Sequence, residues 1–243
     1  MELAGKVALI TGSGIRLGRA IALALAEKGC HLALHYNRSA EDAQEVALLA
    51  RQAGVRADLF GADLSNPEAV ETLSQQVQAS YGHYDILINN AAVYLKGSGL
   101  DTSAEMLERQ FRLNLFAPIL LIRAFARQLP QDLMGKVVNI SDAKTFRHQT
   151  DHFAYRLTKH AINEMTRMYA LELAPRITVN AVAPGIMLPL AGFEHVDMQA
   201  LGEKRVPLQR VGSPQIIAEN VLHILAQDFM TGAILQVDGG ENL

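Results

Sequence analysis

Val7-Ala8-Leu9-Ile10-Thr11-Gly12-Ser13-Gly14-Ile15-Arg16-Leu17-Gly18 is the stretch that decides the fold. It opens on a short apolar run with β-branched ends, the pattern of a buried strand. The run breaks at Thr11-Gly12, and helical spacing takes over from Leu17. Glycine turns tightly and lets the backbone approach a ligand closely, so Gly12, Gly14 and Gly18 suit a pyrophosphate. The helix N-terminus that follows stabilises negative charge. Glycine-rich turns also serve only to reverse a chain, but the position directly after a first strand favours the anion-binding reading.

Outward from this corner, short apolar runs alternate with longer helical stretches. Strands are predicted at residues 7–10, 31–35, 58–62, 85–89, 136–140, 177–182 and 234–237. Helices are predicted at 17–28, 40–52, 67–81, 104–128, 153–173 and 214–226, the fourth kinked at Pro118. Seven strands alternating with helices imply a doubly wound, Rossmann-type α/β fold, with a parallel sheet covered on both faces. Ligands bind such sheets at the carboxyl ends of the strands. Those ends carry Thr11-Gly12, residues 36–39, Asp63, residues 89–91, Ser141-Asp142 and Pro184-Gly185.

The second strand selects the cofactor. An NAD site usually places an acid about 20 residues beyond the glycines, on the ribose 2′-hydroxyl. Here the strand ends His35-Tyr36-Asn37-Arg38-Ser39, with no acid. Arg38 offers a planar charged fork and Ser39 a hydroxyl, both matched to a 2′-phosphate, and Arg16 adds a second cation. NADPH is therefore expected over NADH.

Composition narrows the rest. The chain has 243 residues, 49% hydrophobic and 19% charged, with a formal charge of −3. That suits one globular domain, read as residues 1–243, and argues against disorder. A broad electrostatic grip on nucleic acid or an anionic membrane is not expected. No apolar run is long enough to span a bilayer, and no secretory pattern is read at the N-terminus, so a cytoplasmic location is expected. The single cysteine, Cys30, reads as a buried inert thiol. His148, His152, His160 and His195 have no metal-ligand spacing, so no metal is expected. Arg123, Arg127 and Arg147 read as solvated faces or subunit contacts, and Met165 and Met168 as helix packing.

The ordered set of residues 11–18, Asp63-Leu64, Asn89-Asn90-Ala91, Asn114, Tyr155-x-x-x-Lys159, Pro184-Gly185 and residues 237–240 resembles the short-chain dehydrogenase/reductase family. The likeness runs from Lys6 to Gly240. Tyr155 and Lys159 stand four apart, so both face one side of a helix. A phenol near pKa 10 is a poor proton donor at neutral pH, and a nearby ammonium is expected to lower it. The resemblance implies that Lys159 also binds the nicotinamide ribose and that Tyr155 protonates the substrate as hydride arrives. It implies that Asn114 bends its helix and holds a water linking the lysine to solvent. It implies cofactor contacts from Gly12, Gly14, Arg16, Leu17, Gly18, Asn37, Arg38, Ser39, Asp63, Leu64, Asn90, Ala91, Pro184 and Gly185. The family's long helices usually pair across two-fold axes, so a homotetramer is expected.

Three departures refine this. A serine usually stands 13 residues before the tyrosine, where this chain has Asp142. An ionised carboxylate repels a developing oxyanion but suits a nitrogen heterocycle, whose ring must gain a proton. It also raises the Tyr155 pKa, opposing Lys159. A glycine usually stands where this chain has Arg16. Together with residues 35–39, these features resemble the pteridine reductase branch, including dihydromonapterin reductases. That likeness implies that Arg16 faces both phosphates and pterin and that Tyr94 stacks on the pterin. Finally, Ile186-Met187-Leu188-Pro189 supplies no threonine for the nicotinamide carboxamide.

The expected function is NADPH-dependent reduction of a pterin, with Tyr94, Arg16, Asp142 and Tyr155 at the substrate. A carbonyl reductase of the same family, with Asp142 protonated, and a non-catalytic NADPH-binding sensor are the alternatives. Residues 186–212, including Gly192 and Phe193, read as a substrate lid.

Overall fold

The computed structural model describes residues 1–189 and 195–243. Gly192 and Phe193 of the expected lid lie outside the described residues.

The seven strands are β1 (Val7–Ile10), β2 (His31–Tyr36), β3 (Ala57–Gly61), β4 (Ile86–Asn89), β5 (Gly135–Ile140), β6 (Ile177–Pro184) and β7 (Ile234–Val237). They form one parallel sheet in the order β3-β2-β1-β4-β5-β6-β7. The strand order reverses between β1 and β4, which opens a crevice at their carboxyl ends. Strands β1, β4 and β5 are buried throughout, because helices cover both faces of the sheet.

The helices are α1 (Arg16–Glu27), α2 (Ala40–Gln52), α3 (Pro67–Tyr81), α4 (Ala104–Phe111), α5 (Ala117–Gln128), α6 (Phe153–Leu173), α7 (Met198–Arg205) and α8 (Pro214–Ala226). One core layer joins Ile10, Ile21, Leu34 and Ile88 to Ile217 and Val221 of α8. The other joins Leu9, Leu73, Leu87 and Val137 to Phe125 and Ile162. Cys30 is buried among the first group, its thiol pushed up to about 12 by burial.

The predicted helix 104–128 differs in detail. It is broken by a π-helical turn, Arg112–Phe116, centred on Asn114. The Ala117 amide reaches five residues back to the Arg112 carbonyl. The widened turn ends just before Pro118, which has no N–H to give, so the bend comes before the proline rather than at it. Strand β6 runs on to Pro184, two residues past its expected end. Met168 is 68% exposed, so it does not pack as expected, whereas Met165 is buried. No helix among the described residues is long and apolar enough to cross a membrane.

Candidate active site

The first turn is tied down by side chains before any ligand is considered. The Thr11 hydroxyl accepts hydrogen bonds from the Asn90 and Ala91 amides at 2.9 and 3.0 Å. The Asn90 side chain donates to the carbonyls of Thr11 and Gly12 at 2.9 and 3.0 Å. Gly12 has φ +64°, where a side chain is strained. A Cβ on Gly18 would stand 2.0 Å from the Gly12 carbonyl oxygen, so α1 can pack against the turn only without one. A Cβ on Gly14 would meet the start of α2, at 3.0 Å from the Ala43 amide and the Ser39 hydroxyl.

Arg16 has φ +53°, which explains why a glycine commonly serves at this point. Holding a non-glycine residue there costs on the order of 1 kcal/mol. Its guanidinium crosses the cleft mouth and donates to the Pro189 carbonyl at 2.9 Å. The N-cap of α1, Ile15, offers no capping side chain, and the first turn has no acid. The helix therefore presents amide donors to the cleft, as an anion requires.

His35 links this turn to β3. Its Nδ1 accepts from the Gly12 amide at 3.1 Å, and its Nε2 lies 3.0 Å from the Ala62 carbonyl. Accepting at Nδ1 requires the neutral ring with its proton on Nε2. Burial lowers the imidazole pKa to about 4, which holds it in that form. Beyond Ala62, Asp63 accepts from the Ser65 hydroxyl and amide, which keeps its carboxyl below the usual range.

The resulting cleft has a volume of about 990 Å³. Gly12, Arg16, Leu17, Asn37, Arg38, Ser39, Asp63, Leu64, Asn90 and Ala91 line one end. Tyr94, Asp142, Tyr155, Lys159, Pro184 and Gly185 line the other. Gly14, Gly18 and Asn114 do not line it. The two glycines sit in the supporting turn. The Asn114 amide group accepts from the Val93 amide at 2.8 Å and donates to the Val93 carbonyl at 2.9 Å and the Thr158 hydroxyl at 3.3 Å. That anchors the segment leading to Tyr94 against α6.

The reactive end is built from β5, the 3₁₀ turn Ala143–Phe146 and α6. Asp142 caps that turn, its Oδ1 accepting from the Lys144 amide at 2.7 Å. Its Oδ2 accepts from the Tyr155 hydroxyl at 2.8 Å. The neighbouring alcohol, Ser141, is turned away and donates to Asn163 Oδ1 at 2.5 Å. Lys159 Nζ donates to the Ile140 carbonyl at 2.7 Å and lies 5.6 Å from the Tyr155 ring centre.

These contacts bear out the raising effect expected of Asp142 on Tyr155 and correct the lowering expected of Lys159. Tyr155 is held well above the ordinary phenol pKa, first by burial and then by the charge and hydrogen bond of Asp142. The ammonium of Lys159, aimed at a carbonyl, does not reverse this. Burial instead lowers Lys159 to about 8, against the attraction of Asp142.

Tyr94 stands edge-on to Tyr155 with ring centres 4.5 Å apart. One face of Tyr94 is already stacked on His152 at 4.2 Å, so a substrate ring can meet only its remaining surface. Lys144 Nζ donates to the Tyr94 hydroxyl at 3.0 Å. Lys144, Arg205 and Glu241 were not singled out from the sequence, and His152 was weighed only as a metal ligand; they come from loops and from the ends of α7 and the chain. The cue in hindsight is Lys144, placed two residues past Asp142 on a one-turn helix.

The chain matches the family described as Enoyl-(Acyl carrier protein) reductase over residues 12–242. It is 37% identical to an uncharacterized oxidoreductase of Mycobacterium tuberculosis, covering 98% of this chain and 93% of the relative. The crystal structure of FolM alternative dihydrofolate reductase 1 from Brucella canis, complexed with NADP, is similar at 32% identity and a TM-score of 0.91. That match covers 100% of this chain and 96% of the other. A short-chain dehydrogenase from Burkholderia cenocepacia in complex with NADP matches at 31% identity and a TM-score of 0.93, covering 100% of both chains. This chain belongs to the short-chain dehydrogenase/reductase family of oxidoreductases.

Proposed function

We propose that this protein is an NADPH-dependent reductase of a pterin of the dihydropterin or dihydromonapterin type. The observation that carries the reading is the 2.8 Å hydrogen bond from Tyr155 to a carboxylate, Asp142, where an alcohol would serve a ketone better. The likeness to an alternative dihydrofolate reductase bound to NADP supports it.

The residues present fit the cofactor. The glycine turn and the uncapped start of α1 suit a pyrophosphate, and Arg38 with Ser39 suits a 2′-phosphate. Bound along the cleft, NADPH supplies a hydride from its nicotinamide ring. Lys159 and the segment Pro184-Gly185 would hold the nicotinamide end, and Asn90 and Ala91 the middle. Asn37, Asp63 and Leu64 border the nucleotide end.

Tyr155 keeps its proton across the neutral range and presents it to a ring nitrogen of the substrate. The nitrogen gains that proton while the adjacent carbon gains the hydride, so a C=N bond becomes CH–NH. Giving up the proton leaves negative charge on the Tyr155–Asp142 pair. Lys159, charged below about 8, offsets it, and the pair regains its proton from water. Arg16 and Tyr94 orient the heterocycle. Asn114 supports this end from behind.

The whole chain, residues 1–243, works as one domain in this reading, with residues 186–212 as the cover. Val196, Met198 and Leu201, from the start of α7 and just before it, already line the cleft. Exposed apolar residues Phe116, Met168 and Leu171 on the π turn and α6 support the tetramer expected by resemblance.

The test is NADPH oxidation with dihydrobiopterin, dihydromonapterin and an acetoacetyl thioester. Turnover of a pterin is the expected result. Turnover of the thioester alone would assign carbonyl reduction instead.

A further inference from the structure

The cleft does not close at Tyr94. Lys144, Arg205 and Glu241 line both it and a smaller adjoining pocket of about 230 Å³. Arg147, Lys204, Gln149 and Asn242 complete the smaller one. Four cations thus face one carboxylate, in a chain whose formal charge is −3. Glu241 accounts for Arg205, with Nη2 and Oε1 3.0 Å apart. Among the described residues, Lys144, Arg147 and Lys204 have no acidic partner within salt-bridge distance. Gathering four cations around a single carboxylate is unfavourable, and a concave wall focuses their field outward. An anion seated there relieves the repulsion.

The place of the pocket fixes what brings the anion. The Lys144 ammonium is 3.0 Å from the Tyr94 hydroxyl, and the Tyr94 ring abuts Tyr155. Tyr94 thus joins Tyr155 to Lys144, and Lys144 lines the smaller pocket together with Arg147 and Lys204. The cations that suit the cofactor phosphates, Arg16 and Arg38, belong to the first and second strand ends instead. We propose that the substrate carries an anionic group, a phosphate or a carboxylate, on the substituent of its reducible ring, and that Lys144, Arg147 and Lys204 receive it. This rests on the proposed pterin reading for the ring, and not for the anion. Glu241 lies at the junction of the two pockets, where it repels a charge placed too close to Arg205 and directs it toward Arg147 and Lys204.

Matched substrates separate the two claims. With NADPH saturating, 7,8-dihydroneopterin is compared with its phosphate ester, which has the same ring and carbon chain, and with dihydrofolate, which carries carboxylates. The KM of at least one charged substrate is expected to be at least fivefold below that of dihydroneopterin, and which one is lower identifies the anion. In the double variant Arg147→Glu, Lys204→Glu, the KM of the charged substrate rises at least tenfold, and by a factor at least three times that for dihydroneopterin. Unchanged thermal melting and NADPH affinity show that the variant is folded. Equal KM values for charged and uncharged substrates, or equal effects of the variant on both, would overturn the subsite.

Reduction of none of these pterins would overturn the proposed function alone. The pocket is then judged by calorimetric titration of inorganic pyrophosphate into the NADP⁺-saturated protein. Binding that weakens at least fivefold in the double variant supports the subsite. Absent binding, or binding that the variant leaves unchanged, overturns it.

Discussion

Asp142 and Tyr155 share a 2.8 Å hydrogen bond in which the phenol donates and the carboxylate accepts. A hydroxyl at residue 142 would lend a donor to an oxyanion. A carboxylate cannot, and it raises the cost of ionising its neighbour. The proton therefore stays on Tyr155 until a base able to take it arrives, and a ring nitrogen is such a base.

The cofactor preference is tested at Arg38. It lines the cleft beside Ser39, at the end proposed for the nucleotide, and β2 ends without an acid. A hydrogen bond to a charged group contributes about 1.5–3 kcal/mol. Arg38→Ala is therefore expected to weaken NADPH binding about 10- to 100-fold and NADH binding less than threefold. Fluorescence titration of both reduced cofactors checks this. Equal affinity of the unmodified protein for NADPH and NADH would contradict a 2′-phosphate pocket.

His35 makes the fold acid-sensitive. Its pKa is about 4 in the folded chain against an ordinary 6.5, so the unfolded chain binds the extra proton first as pH falls. Stability is full above about 6.5 and is lost as pH falls toward 4, by at most about 3 kcal/mol. Protonation also sets an N–H against the Gly12 amide, which loosens the phosphate turn. Thermal melting between pH 7 and 4 is expected to fall more steeply for the unmodified protein than for His35→Gln. Parallel slopes would show that another group carries the acid loss.

Lys159 sets the opposite limb. Its ammonium is fully present below about 8 and is lost above it. Tyr155, held well above 10, does not ionise in that range. The kcat/KM for NADPH, which reports the free enzyme, is expected to fall about tenfold per pH unit above about 8. A profile flat to pH 10 would mean that the lysine charge is not used.

Much of this was legible because the signals were local. The buried strand β1 is an unbroken apolar run and β4 is one up to Asn89, and the spacing of Asp142, Tyr155 and Lys159 needs only counting. The φ of +53° at Arg16 was implicit in the glycine it replaces. The π turn at Asn114 left no compositional mark, and Pro118 drew attention to the wrong residue of the bend. Lys144, Arg205 and Glu241 meet through loops and the chain end, so no periodicity joins them. Which of the two opposing influences on Tyr155 wins was also hidden. The upward shift comes first from burial of the phenol, which the spacing of Asp142, Tyr155 and Lys159 does not show, and then from Asp142.

The most direct measurement is the kcat for dihydropterin reduction in Asp142→Ser, alongside the Kd for NADPH. A positioned acid–base group contributes about 10²- to 10⁴-fold. The variant is expected to lose at least about 100-fold in pterin turnover, while its NADPH affinity stays within threefold. Undiminished pterin turnover by the serine variant would contradict the account.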